Sequence, residues 1–506
     1  MLKQLQMNKI IFSIMIFLGV AGCTDVDEVV YDKYSAKDFY ASPEGSDAAL
    51  ASVYAQIPGN WNGVGYAGAD NGWYDLNSMS SDEQVIPHRN TGDWQLDFAR
   101  LYLRDWLPSD FILTNTWNWL YQSVFRANLA VEQLETAKAD PSKIAEAHLL
   151  RAFYYYLLID DFGNVPFYTE NTVSVDQIQQ LSRAEVFNIL IEEINTYVEA
   201  LPETKGGLYY GRFNKWAAYT LLAKLYLNAE VYTGTPRWTE CLAAIDKVEA
   251  GGFSLHSGAA DAANPLGSKY YELFGDVNPA DETILSIYVT VDVVGRNIFS
   301  IRSLGGTDGT LLYGYTAWNG TVIPEEYVAK FDNQDIRKKQ FRYGADPNGP
   351  KPAGYINYSS QITNLDNPGA DRNEGTRNLK FWPALPMNGG GASNDFPVYR
   401  YADILLMKAE CLTRLNRAGE AKPFIDQVRT RAGLQPLAAS PSLEDIYNER
   451  GFELNMEGHR RQDMIRFGTF TSAHGLAPAV DDHFKLFPIP TSALNANLNL
   501  QQNPGF

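Results

Sequence analysis

The sequence predicts a mainly α protein in which tetratricopeptide-like helical hairpins form a scaffold, joined to a large loop-rich irregular half that contains a few short strands. Three observations predict it. Between Leu149 and Ile159 apolar and aromatic side chains cover every face of a helix, so that helix is wrapped by neighbours on all sides. Two distant segments echo one another, Ala223-Lys224 with Ile245-Asp246-Lys247-Val248 and Ala409-Glu410 with Ile425-Asp426-Gln427-Val428, which is the pattern of helix pairs with alanine where the backbones approach. In two long regions, 58–110 and 253–397, the helical period disappears among Gly, Asn, Asp, Pro and aromatic residues.

Taken in order, the helices begin near Ser42-Pro43-Glu44, a helix-start signature with Pro in the first turn. Trp117, Leu120, Val124, Ala127, Val131 and Leu134 then give one buried stripe, which places Trp117 and Trp119 in the core. The central helix follows; Gly163 allows its chain to turn out of the helix and Pro166 forbids resumption. Asp160 and Asp161 put two carboxylates in its last turn, against the helix dipole, so a cation belongs beside them, and Arg460, Arg461 or Arg466 is the expected source. Helices are further predicted at Arg183 to Leu201, Trp216 to Tyr232 and Trp238 to Val248, with Trp216 and Trp238 as core. A strand is expected within Thr283 to Val294. Tyr401 to Asn416, Ala418 to Arg431 and Ser442 to Met456 close the helical set, and the tail with Phe487-Pro488-Ile489-Pro490 is expected to be extended.

At 506 residues, with 45% hydrophobic and 20% charged residues, the chain has the composition of a folded protein with a large core. A net charge of -18 argues against nucleic acid or an anionic membrane surface as an electrostatic partner. Ten Trp and 30 Tyr exceed what a helical core needs, and many fall in the loop-rich regions, where amphipathic rings suit a ligand with apolar faces and hydroxyls. Cys241 and Cys411 lie in helical patterns and read as small buried apolar residues. No Gly-x-Ser-x-Gly elbow, phosphate loop or His-Glu-x-x-His is present, and the spacing of Glu457, His459 and Asp463 fits no metal motif, so neither cofactor nor metal is expected. No local motif proposes a carboxylate pair for glycoside hydrolysis.

The N-terminus is an address. Lys3 and Lys9 precede the apolar run Ile10 to Val20, which is too short to span a bilayer and ends in Leu18-Gly19-Val20-Ala21-Gly22-Cys23. Residues 1–22 read as a signal peptide and Cys23 as a lipidated first residue of the mature chain, as in a bacterial lipobox. Removing residues 1–22 takes away two lysines and no acid, which lowers the net charge from -18 to -20. Residues 23–34 then form a lipidated tether, and several acyl chains give stable anchoring where one does not.

Trp119-Leu120-Tyr121 through Arg126-Ala127-Asn128, Leu150-Arg151-Ala152-Phe153-Tyr154 through Gly163-Asn164-Val165-Pro166, Tyr399 through Glu410, Glu449-Arg450-Gly451-Phe452-Glu453-Leu454, Glu457-Gly458-His459-Arg460-Arg461 and Phe487-Pro488-Ile489-Pro490, with the lipobox, resemble the SusD/RagB family in that order. The resemblance implies an outer-membrane, surface-facing lipoprotein with tetratricopeptide-like helices that sits over a SusC-like TonB-dependent transporter and captures oligosaccharide or polysaccharide for import. It implies one SusD-like domain over 35–506, with the scaffold at about 35–57, 111–252 and 398–470 and the ligand-binding half at about 58–110 and 253–397. Ser80-Ser81-Asp82-Glu83 through Gly92-Asp93-Trp94 is similar to a segment of some glycan-binding members.

An oligosaccharide binder needs Trp or Tyr platforms for ring faces and amide or carboxylate partners for hydroxyls. Trp73 with Asp70 and Asn71, Trp94 with Asp93, and Tyr315 and Trp318 with Asn319 have that composition, and Trp61 and Tyr66 rank just behind. The expected function is therefore non-enzymatic capture of a glycan and delivery to the transporter. The alternatives are a peptide- or protein-binding RagB-like uptake component, or a glycoside hydrolase.

Overall fold

The structure is a computed structural model and describes residues 35–58, 64–68, 70–89, 94–291, 296–343, 357–367, 373–387 and 391–506. Cys23 and its tether, Trp61 and Asp93 lie outside the described residues.

Local sequence signals set the helices. Helix α1 (Ala36–Ala41) leads into α2 (Pro43–Tyr54), whose cap is Ser42, accepting a hydrogen bond from Gly45 N. Two short helices, α3 (Trp73–Met79) and α4 (Leu96–Leu103), lie where no helical period is legible. All seven residues of α3 are buried, so it has no polar face to create a period.

The scaffold proper starts with α5 (Phe111–Ala137) and α6 (Pro141–Phe162), which pack as an antiparallel pair. Every residue of α6 from Ala145 onward is buried, as a helix apolar on all faces requires. Gly163 ends it at φ 73°, where a Cβ would meet the Leu486 side chain at 2.7 Å. A capping box between Ser182 and Glu185 starts α7 (Arg183–Tyr197). The predicted helix 216–232 is divided into α8 (Lys215–Leu227) and α9 (Ala229–Thr233), and α8 pairs with α10 (Trp238–Glu249).

The region 253–397 is less irregular than its composition predicts. It holds the short helices α11 (Phe299–Ser303), α12 (Gly306–Tyr313) and α13 (Glu325–Val328). The expected strand is the five residues Thr283–Ile287, paired antiparallel with Phe396–Arg400; both strands are wholly buried. The sheets formed by the described residues have two strands each.

Helices α14 (Tyr401–Arg414) and α15 (Ala418–Arg431) form the second hairpin, and α14 packs against α10 of the first and against α16 (Leu443–Glu453). Helix α17 (Arg460–Arg466) follows. The tail is extended at Phe487-Pro488-Ile489-Pro490, between a 3-10 turn (Asp482–Lys485) and α18 (Thr491–Ala496), and it seals the core through Phe487 and Ile489. Trp117, Trp119, Trp216 and Trp238 are buried, as are Cys241 and Cys411. Among the described residues no helix is long and apolar enough to cross a membrane.

Buried ion pairs tie the two halves together. Arg400 donates to Glu282 at 2.8 Å and to Glu457, while Arg337 reaches from the loop-rich half to Glu449 and Glu453 of α16. Lys380 donates to Glu457 at 2.7 Å and Arg450 bridges Asp403 and Asp463. Removing one partner of such a pair leaves an uncompensated buried charge. Glu457, His459 and Asp463 thus stand among cations: Glu457 and Asp463 are paired, and His459 Nδ1 lies 3.4 Å from Lys224 Nζ.

Candidate ligand-binding site

The loop 64–72 is tied to the scaffold by its backbone. Tyr66 N donates to Ile57 O, and Trp73 N donates to Gly65 O at 3.0 Å, which folds the loop back onto the start of α3. Gly72 makes this possible, since a Cβ there would lie 2.4 Å from Gly65 O. The fold brings Tyr66 and Trp73 face to face, with centroids 4.3 Å apart and an interplanar angle of 17°. Both are buried, at 2% and 5% exposure, so neither face is open to a ligand. The expectation that they are platforms gives way to a core role: they pin the loop to the scaffold.

Trp94 is likewise buried. Its Nε1 donates to Trp318 O at 3.1 Å, its ring meets Phe98 edge-on, and Gly320 lies against its face so closely that a Cβ would be 2.6 Å away. Its role is to hold the backbone of Trp318. The segment Ser80-Ser81-Asp82-Glu83 is also buried: Asp82 accepts two hydrogen bonds from Arg460, at 2.6 and 2.9 Å, and Glu83 accepts from Met456 N. It anchors α17 instead of facing a ligand.

Trp318 remains half-exposed. Its N donates to Ile301 O at 2.8 Å and its carbonyl accepts from Trp94, so the residue is fixed from both sides, packed on the core and partly accessible. The Arg296 guanidinium lies 5.9 Å from the ring centroid. Arg296 also lies in the field of Asp70. Asp70 is half-buried, 3.6 Å from Arg302, whose other partner Asp75 accepts at 2.7 Å. Burial pushes the Asp70 carboxyl up to about 6 against the pull of Arg302 and Arg296. Asn71 takes the left-handed conformation, at φ 63°, and its N donates to Asp75 Oδ2 at 2.8 Å. Asp70 Oδ1 and Asn71 Oδ1 accept no hydrogen bond from the described residues.

Of the residues singled out in the sequence, Asp70 and Trp318 share Arg296 as a neighbour, and Asn71 follows Asp70 in the chain. Tyr315 is half-exposed nearby in sequence, packed on the cluster around Leu304 and Tyr313 that also receives Trp382. Asn319 is buried and accepts from Arg377 at 2.8 Å, which makes it a backbone-shaping residue at φ 55° and not a ligand partner. Arg296 and Arg302 were missed because a single arginine in a loop or in a five-residue helix carries no periodic or motif signal.

Comparison with known proteins agrees with the fold. A model described as the SusD family matches residues 308–479, and a model described as "Starch-binding associating with outer membrane" matches residues 60–227. The starch-binding protein SusD of Bacteroides thetaiotaomicron is 23% identical, covering 86% of this chain and 85% of the relative. SusD-like protein P25 of Formosa agariphila is 25% identical, covering 91% and 90%. Among solved structures, a SusD-like protein of Bacteroides fragilis superposes with a TM-score of 0.74 at 19% identity, over 92% of this chain and 98% of the other. Surface glycan-binding protein A from Bacteroides thetaiotaomicron in complex with laminarihexaose superposes with a TM-score of 0.70 at 20% identity, over 91% and 99%. The chain belongs to the SusD/RagB family.

Proposed function

We propose that this chain is a cell-surface glycan-binding lipoprotein that captures an oligosaccharide or polysaccharide and delivers it to a SusC-like TonB-dependent outer-membrane transporter, without a covalent step. The observation that carries the reading is the setting of Trp318, a half-buried residue whose backbone is held by hydrogen bonds on both sides and whose ring has the Arg296 guanidinium 5.9 Å from its centroid. An aromatic ring with a guanidinium beside it suits a sugar, whose apolar face stacks on the ring and whose hydroxyls accept hydrogen bonds. The relatives add support: one is named a starch-binding protein and one carries laminarihexaose. Acylation at Cys23 supplies the membrane anchor, and residues 35–506 work as one SusD-like unit above the transporter.

The test is retardation of residues 24–506 in native gels containing single polysaccharides, with Trp318→Ala compared at matched melting temperature. Slowed migration on one polysaccharide that the variant loses supports capture at Trp318. No retardation on any glycan overturns the reading in favour of a peptide ligand.

A further inference from the structure

A groove of about 420 Å³ runs beside Val64 on the face of α5. Asn115, Asn118 and Gln122 line it from that helix, at a spacing of three and then four residues, which puts all three on one face over about 10 Å of axis. Gln56 and Val64 form the facing wall, and Trp119 closes the groove, locked in place by its Nε1 donating to Gln56 O at 2.7 Å. Asn118 and Gln122 are exposed and Asn115 is half-buried. None of the three side chains is hydrogen-bonded to another described residue. Among the described residues none lining the groove is charged, although the chain as a whole carries -18.

We infer that this amide-lined groove is a further glycan contact surface and that it selects an uncharged chain. The inference rests on the glycan-binding reading above. Each amide offers one acceptor and two donors in a plane, a set that pairs with neighbouring hydroxyls, and three of them on one helix face reach more than one sugar ring. A polyuronate or sulfated chain would find no cation among the described lining residues to offset its charge, and the negative net charge of the chain as a whole disfavours it. The groove is also connected to Trp318. Trp94 holds the Trp318 backbone, Phe98 meets Trp94 edge-on, and Phe98 meets Phe111, the first residue of α5, one turn before Asn115. Trp318 and the amide face are thus joined through the interior by packed aromatic rings.

The test uses residues 24–506 as wild type, as the double variant Asn118→Ala/Gln122→Ala, and as Trp318→Ala, in gels containing starch, laminarin, xylan, alginate or polygalacturonate, with melting temperatures recorded. The expected result is retardation by one of the neutral polysaccharides and by neither polyuronate. The double variant is expected to bind that polysaccharide about five- to tenfold more weakly at unchanged melting temperature, the loss of one or two net hydrogen bonds. Full affinity in the double variant, with Trp318→Ala impaired, overturns the groove and leaves glycan capture standing. Retardation by a polyuronate overturns the selection of an uncharged chain. Absence of retardation on all five polysaccharides, with the same protein folded, removes the glycan-binding reading and this inference together.

Discussion

The Arg461 guanidinium stands 3.7 Å from the Asp161 carboxylate and joins α17 to the C-terminal turn of α6. Asp161 also accepts from Asn77 Nδ2 at 3.3 Å, and its carbonyl accepts from Phe487 of the tail. Its neighbour Asp160 accepts from Tyr232 Oη at 2.6 Å and lies 3.7 Å from Arg183. Burial pushes the Asp161 carboxyl up to about 8, and Arg461 works against that rise. The cation that the helix dipole demands is therefore supplied twice, by Arg461 and by Arg183.

Arg461→Glu places a third carboxylate in this buried group. It is expected to lower stability by about 3 kcal/mol or more in urea titration. An unchanged melting temperature would show that the pairing does not hold the last helical block.

Asp463 sets a pH dependence. Burial alone would raise its carboxyl, but Arg450 at 2.8 Å and Arg466 at 2.7 Å outweigh burial and hold it down, from the usual 3.8 to about 2. A depressed carboxylate stabilises the fold fully above its unfolded value and loses that contribution as the pH falls through the folded one. Between pH 4 and pH 2 the wild type is expected to lose about 2 kcal/mol through this group alone. Chemical denaturation at stepped pH checks it: Asp463→Asn should be less stable at pH 7 and show a shallower acid slope, and an identical slope would exclude Asp463 as the source.

The buried aromatics and the half-exposed one should separate cleanly. Trp73→Ala removes an indole stacked on Tyr66 and is expected to cost about 3–5 kcal/mol. Trp318→Ala is expected to cost much less stability and to abolish retardation on the cognate polysaccharide. Equal stability losses in the two variants would place Trp318 in the core as well.

Gly320 tests the support of the platform. Adding a methyl group in Gly320→Ala sets a Cβ 2.6 Å from the Trp94 indole, whose Nε1 holds the Trp318 carbonyl. Overpacking of this kind is expected to cost about 1–3 kcal/mol and to weaken glycan binding although no ligand contact is altered. Calorimetric melting and gel retardation on one preparation check both parts, and wild-type affinity would mean that Trp94 does not position Trp318.

Helices with a strong local signature were legible. The stripe from Trp117 to Leu134, the all-apolar run Leu149 to Ile159 and the helix starts at Ser42, Arg183 and Ser442 all appear where the pattern places them. The short helix α3 was not legible, because a seven-residue helix buried on every side leaves no contrast between faces, and α4 spans barely two turns, too few for its buried face at Phe98, Leu101 and Tyr102 to set a period. The site was legible in composition alone. Asp70, Asn71 and Trp318 were recognisable as sugar-binding residue types, yet Tyr66, Trp73 and Trp94 have the same types and sit in the core.

By itself the sequence determined the helical scaffold, its resemblance to a family and the presence of aromatic-rich loops, because helix periodicity, caps and stop signals act over a few residues. The tertiary structure alone decided which aromatic rings are buried and which arginine meets Asp161. Those outcomes depend on segments hundreds of residues apart in the chain. Trp94 meets Trp318 and Asp82 meets Arg460 only when the loops close on the scaffold, and no local pattern encodes that meeting.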